Sequence, residues 1–292
     1  MEILVGTDYL EDMYQELVKV MPQHDIRRCP EAEVSQEVQS ANVYIPARGP
    51  ITASDMANAP GLQLIQQFGV GVDMVDIPAA RERGIPVANA PGEVTGIGDV
   101  VAELALFHLI AAGRNLPKQI QLIQQESGAI PMGITLFDKT VVIVGMGNVG
   151  RALAEMLKPF RCRIIGVKRQ VSEELREGFG IDKLIEPSQL LDVLPECDFV
   201  CLAVPLSDET KGMLGKEAID ALKTGAFVVN ICRGPVLEKE PFVAALKSGK
   251  IAGAGLDVFW VEPPDPNEEF FNYPVAATPH SASMTDLFVK NT

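Results

Sequence analysis

Apolar and polar positions come in short blocks along this chain, and the blocks switch between two periods. Residues 3–5 (ILV) read as a buried strand. Residues 13–20 then carry apolar side chains at helical spacing until Pro22 stops the run. The alternation continues with a weak strand at 25–28, a helix at 32–38 and a strand at 42–45. A helix follows Thr52, which serves as its cap. Next come a strand at 63–66, a helix at 77–83 ended by Gly84, and a strand at 85–88. Strand and helix recur with a period of roughly 20 residues, which predicts a parallel sheet covered by helices.

Residues 99–113 (DVVAELALFHLIAAG) are apolar on nearly every side. Such a helix is buried in a core or against another subunit. A second helix is expected over 115–125, and residues 134–139 lead into the next strand. From there the alternation is stronger: strand 141–144, helix 151–157, strand 163–167, helix 188–194, strand 198–204, helix 216–222, strand 226–231, helix 239–248 and strand 251–258. Residues 260–275 are proline-rich and polar and predict a surface loop. A short strand over 276–278 follows. The two blocks predict an α/β protein with two Rossmann-like or flavodoxin-like parallel-sheet domains. They join near Asp99, with a ligand cleft between them.

Composition narrows the function. The chain of 292 residues is long enough for two domains, and 47% apolar with 22% charged residues is an ordinary globular balance. A net charge of −14 speaks against a nucleic-acid surface, which needs a basic face. It allows an anionic substrate, because a local arginine outweighs a distant field at short range. The five cysteines (Cys29, Cys162, Cys197, Cys201 and Cys232) form no C-x-x-C pair. They read as reduced thiols of a cytoplasmic protein, with no zinc site. The N-terminus has neither the basic stretch nor the apolar core of a signal peptide. The longest apolar run, 100–112, carries Glu103 and His108 and is too short for a bilayer.

The chemistry centres on residues 141–150, VVIVGMGNVG. Gly145, Gly147 and Gly150 stand at G-x-G-x-x-G spacing between a strand and a helix. The first glycine allows a tight turn and the second keeps the backbone clear of a pyrophosphate. The third lets helix and sheet pack closely. The pyrophosphate then rests on the amides of the helix start, at Asn148, Val149 and Gly150.

In an open α/β sheet the ligand lies beyond the carboxyl ends of the strands. Three reactive residues follow strand ends: Arg233 in NICRGP, Glu262 in LDVFWVEP and His280 in ATPHSA. Taken singly, Arg233 can be a surface charge and Glu262 a solvated loop carboxylate. Of the other histidines, His24 precedes a weak strand. His108 reads as a core or interface residue. Together the three residues make a mechanism. Reduction of a ketone puts charge on oxygen, and histidine is the natural proton donor there. A carboxylate on the other ring nitrogen fixes the tautomer and favours the acid form. Arginine grips a planar carboxylate through paired hydrogen bonds and polarises the neighbouring carbonyl. A 2-oxo acid offers both groups side by side.

These residues sit in motifs that resemble the D-isomer-specific 2-hydroxyacid dehydrogenase family. The motifs are FGVGVDMVDIPAARERGIPVANAPG at 68–92, VVAE at 100–103, the glycine motif, PLSDETKGML at 205–214, NICRGPVLE at 230–238, GAGLDVFWVEP at 253–263 and TPHSA at 278–282. The resemblance implies that Arg233, Glu262 and His280 are the catalytic triad. It implies that Asp257 binds the nicotinamide carboxamide and that Pro205, Arg233 and His280 also line the cofactor. It further implies that Val70 and Gly71 hold the substrate carboxylate. The implied domains are a substrate-binding domain at 1–97, completed by 281–292, and a dinucleotide-binding domain at 98–280. The implied assembly is a homodimer formed through the latter.

The chain departs from the family pattern in three places. NAD-using members carry an acid at the end of the second strand, on the ribose hydroxyl. Here Lys168, Arg169 and Gln170 stand there, a cationic pair suited to a 2′-phosphate. NADP(H) is therefore the expected preference, with NAD(H) second. The stretch after 89–92 is longer than usual, and Ile97 stands where asparagine is frequent. Only residues 285–292 follow where the family continues with a long helix; either the chain runs on or the domain closes differently. Arg48 meets a substrate carboxylate or phosphate, or is a surface arginine. Trp260 and Met284 are candidates to line the pocket. The default substrate is a small 2-oxo acid such as glyoxylate or hydroxypyruvate. The alternatives are a dinucleotide-sensing protein of the co-repressor type, or a dehydrogenase of formate or phosphite.

Overall fold

The structure, a computed structural model, describes residues 1–8, 10–46 and 49–291. The chain forms two compact units, Met1–Thr95 with the C-terminal helix Asp286–Asn291, and Gly96–Thr285.

The first unit is built on five parallel strands: β1 (Glu2–Val5), β2 (Asp25–Arg28), β3 (Val43–Ile45), β4 (Leu64–Gln66) and β5 (Val87–Ala88). Their spatial order is β2-β1-β3-β4-β5. Side chains alternate between the faces of a strand. Leu4, Tyr44 and Ile65 therefore fill one core with Met56 and Ala80, and Ile3, Val5, Val43 and Ile45 fill the other with Met13. Thr52 caps the helix Ala53–Ala57 in a reciprocal box, its own amide donating to Asp55 Oδ2 at 2.8 Å. In the C-terminal helix, Phe288 buries its ring edge-on to Phe68, with centroids 5.1 Å apart.

The second unit carries seven parallel strands: β6 (Thr140–Val144), β7 (Arg163–Val167), β8 (Lys183–Ile185), β9 (Phe199–Leu202), β10 (Ala226–Asn230), β11 (Ile251–Leu256) and β12 (Val275–Ala277). Their order is β12-β11-β10-β9-β6-β7-β8. The inner strands are apolar on both faces, as a sheet covered on both sides requires. Val142, Val144, Val200 and Val228 serve one core; Val141, Ile143, Phe199 and Val229 serve the other. The helix Ile97–Gly113 packs Ala102, Ala105, Leu109 and Ala112 into the second core, beside Leu153 and Leu157 of the glycine-motif helix.

Several expectations need correction. The helix after the glycines starts at Asn148 rather than 151, because the motif itself forms the first turn. The helix expected at 32–38 is a short α-turn, Val34–Glu37, flanked by 3₁₀ turns. The helix Glu173–Phe179 and the strand β8 were not expected. The helix buries none of its residues, and the strand is only three residues long, too short to show a period of its own. Residues 260–275 are not wholly a surface loop. Phe270 is 1% exposed in the 3₁₀ turn Glu269–Asn272 and packs on Trp260 and Phe259. Acidic and proline neighbours disguise that anchor. Phe270→Ala is expected to lower stability by about 3–5 kcal/mol in urea unfolding. A loss under about 1 kcal/mol would contradict its place in the core.

Candidate active site

Because all seven strands run parallel, the turns that follow them gather at one edge of the second unit. β10, β11 and β12 are consecutive neighbours there. Arg233 follows the first, Asp257 and Glu262 the second, and His280 the third.

Asn230, 1% exposed at the end of β10, shapes the turn that presents Arg233. Its Nδ2 donates to the Arg233 carbonyl at 2.9 Å, and its Oδ1 accepts the Cys232 amide at 3.2 Å. The half-buried Arg233 donates from Nη1 to the Cys232 carbonyl at 2.7 Å. A Cβ at Gly234 would run into the Phe259 carbonyl, so only glycine lets this turn press against the segment leading to Glu262. Cys232 beside the arginine is no nucleophile: burial pushes its thiol up to about 11.

Glu262 is fixed from two sides. The Phe259 amide donates to its Oε1 at 3.0 Å, and its Oε2 lies 2.6 Å from His280 Nδ1. The carboxylate is an acceptor, so Nδ1 carries hydrogen and Nε2 is the nitrogen free to exchange a proton. The histidine keeps 34% of its side chain exposed, open to a reacting molecule.

His280 sits in the left-handed backbone region at φ 54°. That conformation costs a non-glycine residue roughly 1–2 kcal/mol. Asp257, 1% exposed, holds the turn in place. Its Oδ1 accepts from Thr278 Oγ1 at 2.6 Å and from the Ser281 amide at 2.9 Å. Its Oδ2 accepts from the Ala282 amide at 3.1 Å. Burial pushes the Asp257 carboxyl up, and these three donors pull against that.

The glycine motif lies at the same edge, after β6. Gly145 has φ 108°, and a Cβ there would strike the Ala203 carbonyl; one at Gly150 would strike the carbonyl of Gly145. Gly147 faces open space, with nothing within 4 Å of a Cβ. The helix Asn148–Leu157 has no side-chain cap. Its first amides at Asn148, Val149 and Gly150 therefore offer donors to an anion, which fits a dinucleotide pyrophosphate. At the end of β7, Lys168 Nζ lies 3.5 Å from the Met146 carbonyl beside the glycine turn. Arg169 forms an exposed pair with Glu209 at 3.7 Å, too loose to hold it firmly. After β9, the Pro205 carbonyl accepts from Thr210 Oγ1 at 2.6 Å, which shapes that loop.

Val70 and Gly71 lie in the first unit, in the loop after β4. Asn89 Nδ2 donates to the Val70 carbonyl at 2.7 Å, and the Ala90 amide to the Gly69 carbonyl at 3.1 Å. Arg48 falls outside the described residues. Trp260 is committed to packing: its ring lies on Phe242 and Phe270, and its Nε1 donates to the Leu237 carbonyl at 2.5 Å. Met284 is 38% exposed. Sequence reasoning missed Asn230 and the clamping role of Asp257. An asparagine closing an apolar strand two residues before C-R was the readable signal for the first.

Residues 106–282 match the NAD-binding domain of the D-isomer specific 2-hydroxyacid dehydrogenases. The chain belongs to this family. It is 38% identical over 252 residues to a glyoxylate reductase from Pyrococcus horikoshii, covering 80% of this chain and 73% of that one. It is 32% identical over 288 residues to a D-3-phosphoglycerate dehydrogenase from Methanocaldococcus jannaschii, covering 98% of this chain but 54% of the longer relative. Among solved structures it resembles an NADPH-dependent glyoxylate/hydroxypyruvate reductase from Sinorhizobium meliloti in complex with NADP and malonate. The TM-score is 0.84 at 28% identity, over 99% of this chain and 89% of that one. The two parallel-sheet units are those of a 2-hydroxyacid dehydrogenase, a nicotinamide-dependent oxidoreductase.

The dehydrogenase carries a second histidine near the site. His108, fully buried on Ile97–Gly113, has Nε2 at 2.8 Å from Thr278 Oγ1. Burial holds its imidazole down at about 4, from an ordinary 6.5. Between those values the unfolded chain takes up a proton that the folded chain refuses. Stability is therefore lost as pH falls through that window. His108→Gln cannot titrate, so the melting-temperature gap between wild type and variant should shrink as pH drops from about 7 to about 5. Parallel melting curves across that range would show that His108 is not held neutral.

Proposed function

We propose that the protein reduces small 2-oxo acids to D-2-hydroxy acids, with NADP(H) preferred and NAD(H) second. The observation that carries this is the His280–Glu262 contact of 2.6 Å, with Glu262 pinned by the Phe259 amide. A histidine held in this way delivers a proton from Nε2 to a carbonyl oxygen. Arg233, at the end of β10 on the far side of β11, binds the carboxylate and polarises the carbonyl. The Val70 and Gly71 backbone supplies a further carboxylate contact, and Arg48 is a candidate for another. A nicotinamide dinucleotide held at the glycine turn by the amides of Asn148, Val149 and Gly150 would supply the hydride. Asp257, which follows β11 between Arg233 and His280, is the proposed partner of the carboxamide. In the reverse direction His280 takes the hydroxyl proton.

The domain roles follow: the first unit is proposed to bind substrate and the second the dinucleotide, with the divisions at 95 and 285 rather than at 97 and 280. Glyoxylate and hydroxypyruvate are the proposed substrates, supported by the glyoxylate reductases among the relatives. The cofactor preference rests on Lys168 and Arg169 and on the lack of an acid at 168–170. Five free thiols fit a reducing cytoplasm, and among the described residues no helix is long and apolar enough to cross a membrane.

NADPH consumption with glyoxylate, hydroxypyruvate and pyruvate tests this. His280→Ala should lose about 10²–10⁴-fold in kcat. Removing both Lys168 and Arg169 should raise KM for NADPH by roughly 10-fold or more and leave NADH nearly unchanged. NADPH binding with no turnover on the panel would favour a dinucleotide sensor. Higher kcat/KM with NADH would overturn the preference.

A homodimer is also proposed. On and after the helix Leu116–Gln124, Ile123, Ile130 and Met132 are 77%, 93% and 96% exposed, and a second copy would bury them. Light scattering should report a dimer that Met132→Asp weakens, since each buried side chain contributes about 1.5–3 kcal/mol. A wild-type monomer at micromolar concentration would contradict it.

A further inference from the structure

Three side chains on separate elements form a polar chain at the carboxyl edge of the second sheet, with His108 and Asp257 buried and Thr278 half-buried. His108 lies on Ile97–Gly113, Asp257 follows β11, and Thr278 follows β12. A Cβ at Gly255 would come within 2.6 Å of His108 Cβ, so β11 leaves room for this ring by carrying glycine opposite it.

The protons of the chain can be placed. Thr278 Oγ1 donates to Asp257 Oδ1 at 2.6 Å, and a hydroxyl has one proton to give. The contact of 2.8 Å between His108 and Thr278 must then be Nε2–H donating to Oγ1. His108 Nδ1 is left as a buried acceptor with no hydrogen-bond partner. The reverse order would put a protonated Asp257 donor on Thr278, and a buried N–H on Nδ1 with nothing to receive it. An unmatched buried donor is costly. The amides of Ser281 and Ala282, both donating to Asp257, also require acceptor oxygens there.

Resting on the active-site reading above, we propose that His108 is a positioning residue for His280. Its Nε2–H commits the Thr278 proton to Asp257, so the carboxylate stays free to grip the Ser281 and Ala282 amides. That grip keeps His280 in its left-handed conformation with Nδ1 on Glu262. His108 touches no reacting atom. It acts through two intermediaries and is supplied by a helix that carries none of the triad.

Two variants and one spectrum test this on the full chain. Gln at 108 keeps an amide N–H near the Nε2 position, whereas Leu keeps only the bulk. Thr278→Val cuts the chain from the other side. His108→Leu and Thr278→Val should each lower kcat about tenfold, with KM for NADPH within about twofold of wild type. His108→Gln should keep at least about a third of wild-type kcat. Two-bond ¹H–¹⁵N spectra of the wild type, which has three histidines, should show the Nε2–H tautomer for His108 at neutral pH. His280 resonances should move in His108→Leu and not in His108→Gln. Folded Leu and Gln variants that behave alike would overturn the proposal, as would an Nδ1–H tautomer at His108. If the Leu and Val variants do not fold, the tautomer and the Gln variant decide. A wild type inactive on every 2-oxo acid, with tautomer and His280 shifts as stated, supports the relay and overturns only the functional reading.

Discussion

Parallel pairing obliges every strand of a sheet to end at the same edge, and the chemistry of this chain depends on that constraint. β10, β11 and β12 lie side by side, so an arginine, two carboxylates and a histidine far apart in sequence arrive together. The glycine turn after β6 and Lys168 after β7 lie at the same edge. The apolar runs that make these strands buried on both faces thus also determine where the reactive residues meet. Hydrophobic burial provides the frame, and local hydrogen bonds aim the side chains.

Those local bonds share one logic. Each reactive residue is held by a group that reacts with nothing. Asn230 shapes the Arg233 turn, the Phe259 amide pins Glu262, and Asp257 grips the amides that follow His280. The strained conformation at His280 persists because its surroundings over-determine it. In the proposed reaction, a histidine placed this firmly need not reorganise when charge develops on a substrate oxygen.

The main features were legible because their physical signals are local. A glycine triplet between a strand and a helix, and polar residues just past apolar strands, led directly to the site edge. The strand limits shifted by only a few residues; β10, for example, ends at Asn230 rather than 231. What escaped has weak local signal. The helix Glu173–Phe179 buries none of its residues, and β8 is too short to show a period. Phe270 hides among acids and prolines. The partnership of His108 with Thr278 spans 170 positions and depends on how a helix crosses the sheet, which no periodicity encodes. The buried, clamping state of Asp257 escaped for the same reason.

Hydride transfer to one face of a 2-oxo acid is the proposed reaction, and product analysis tests it most directly. The protein would be given pyruvate and NADPH carrying deuterium at the transferable position of the nicotinamide, and the lactate resolved on a chiral column with mass detection. The proposed reaction gives D-lactate with one deuterium at C2. L-lactate, a racemic product, or D-lactate without the label would contradict it.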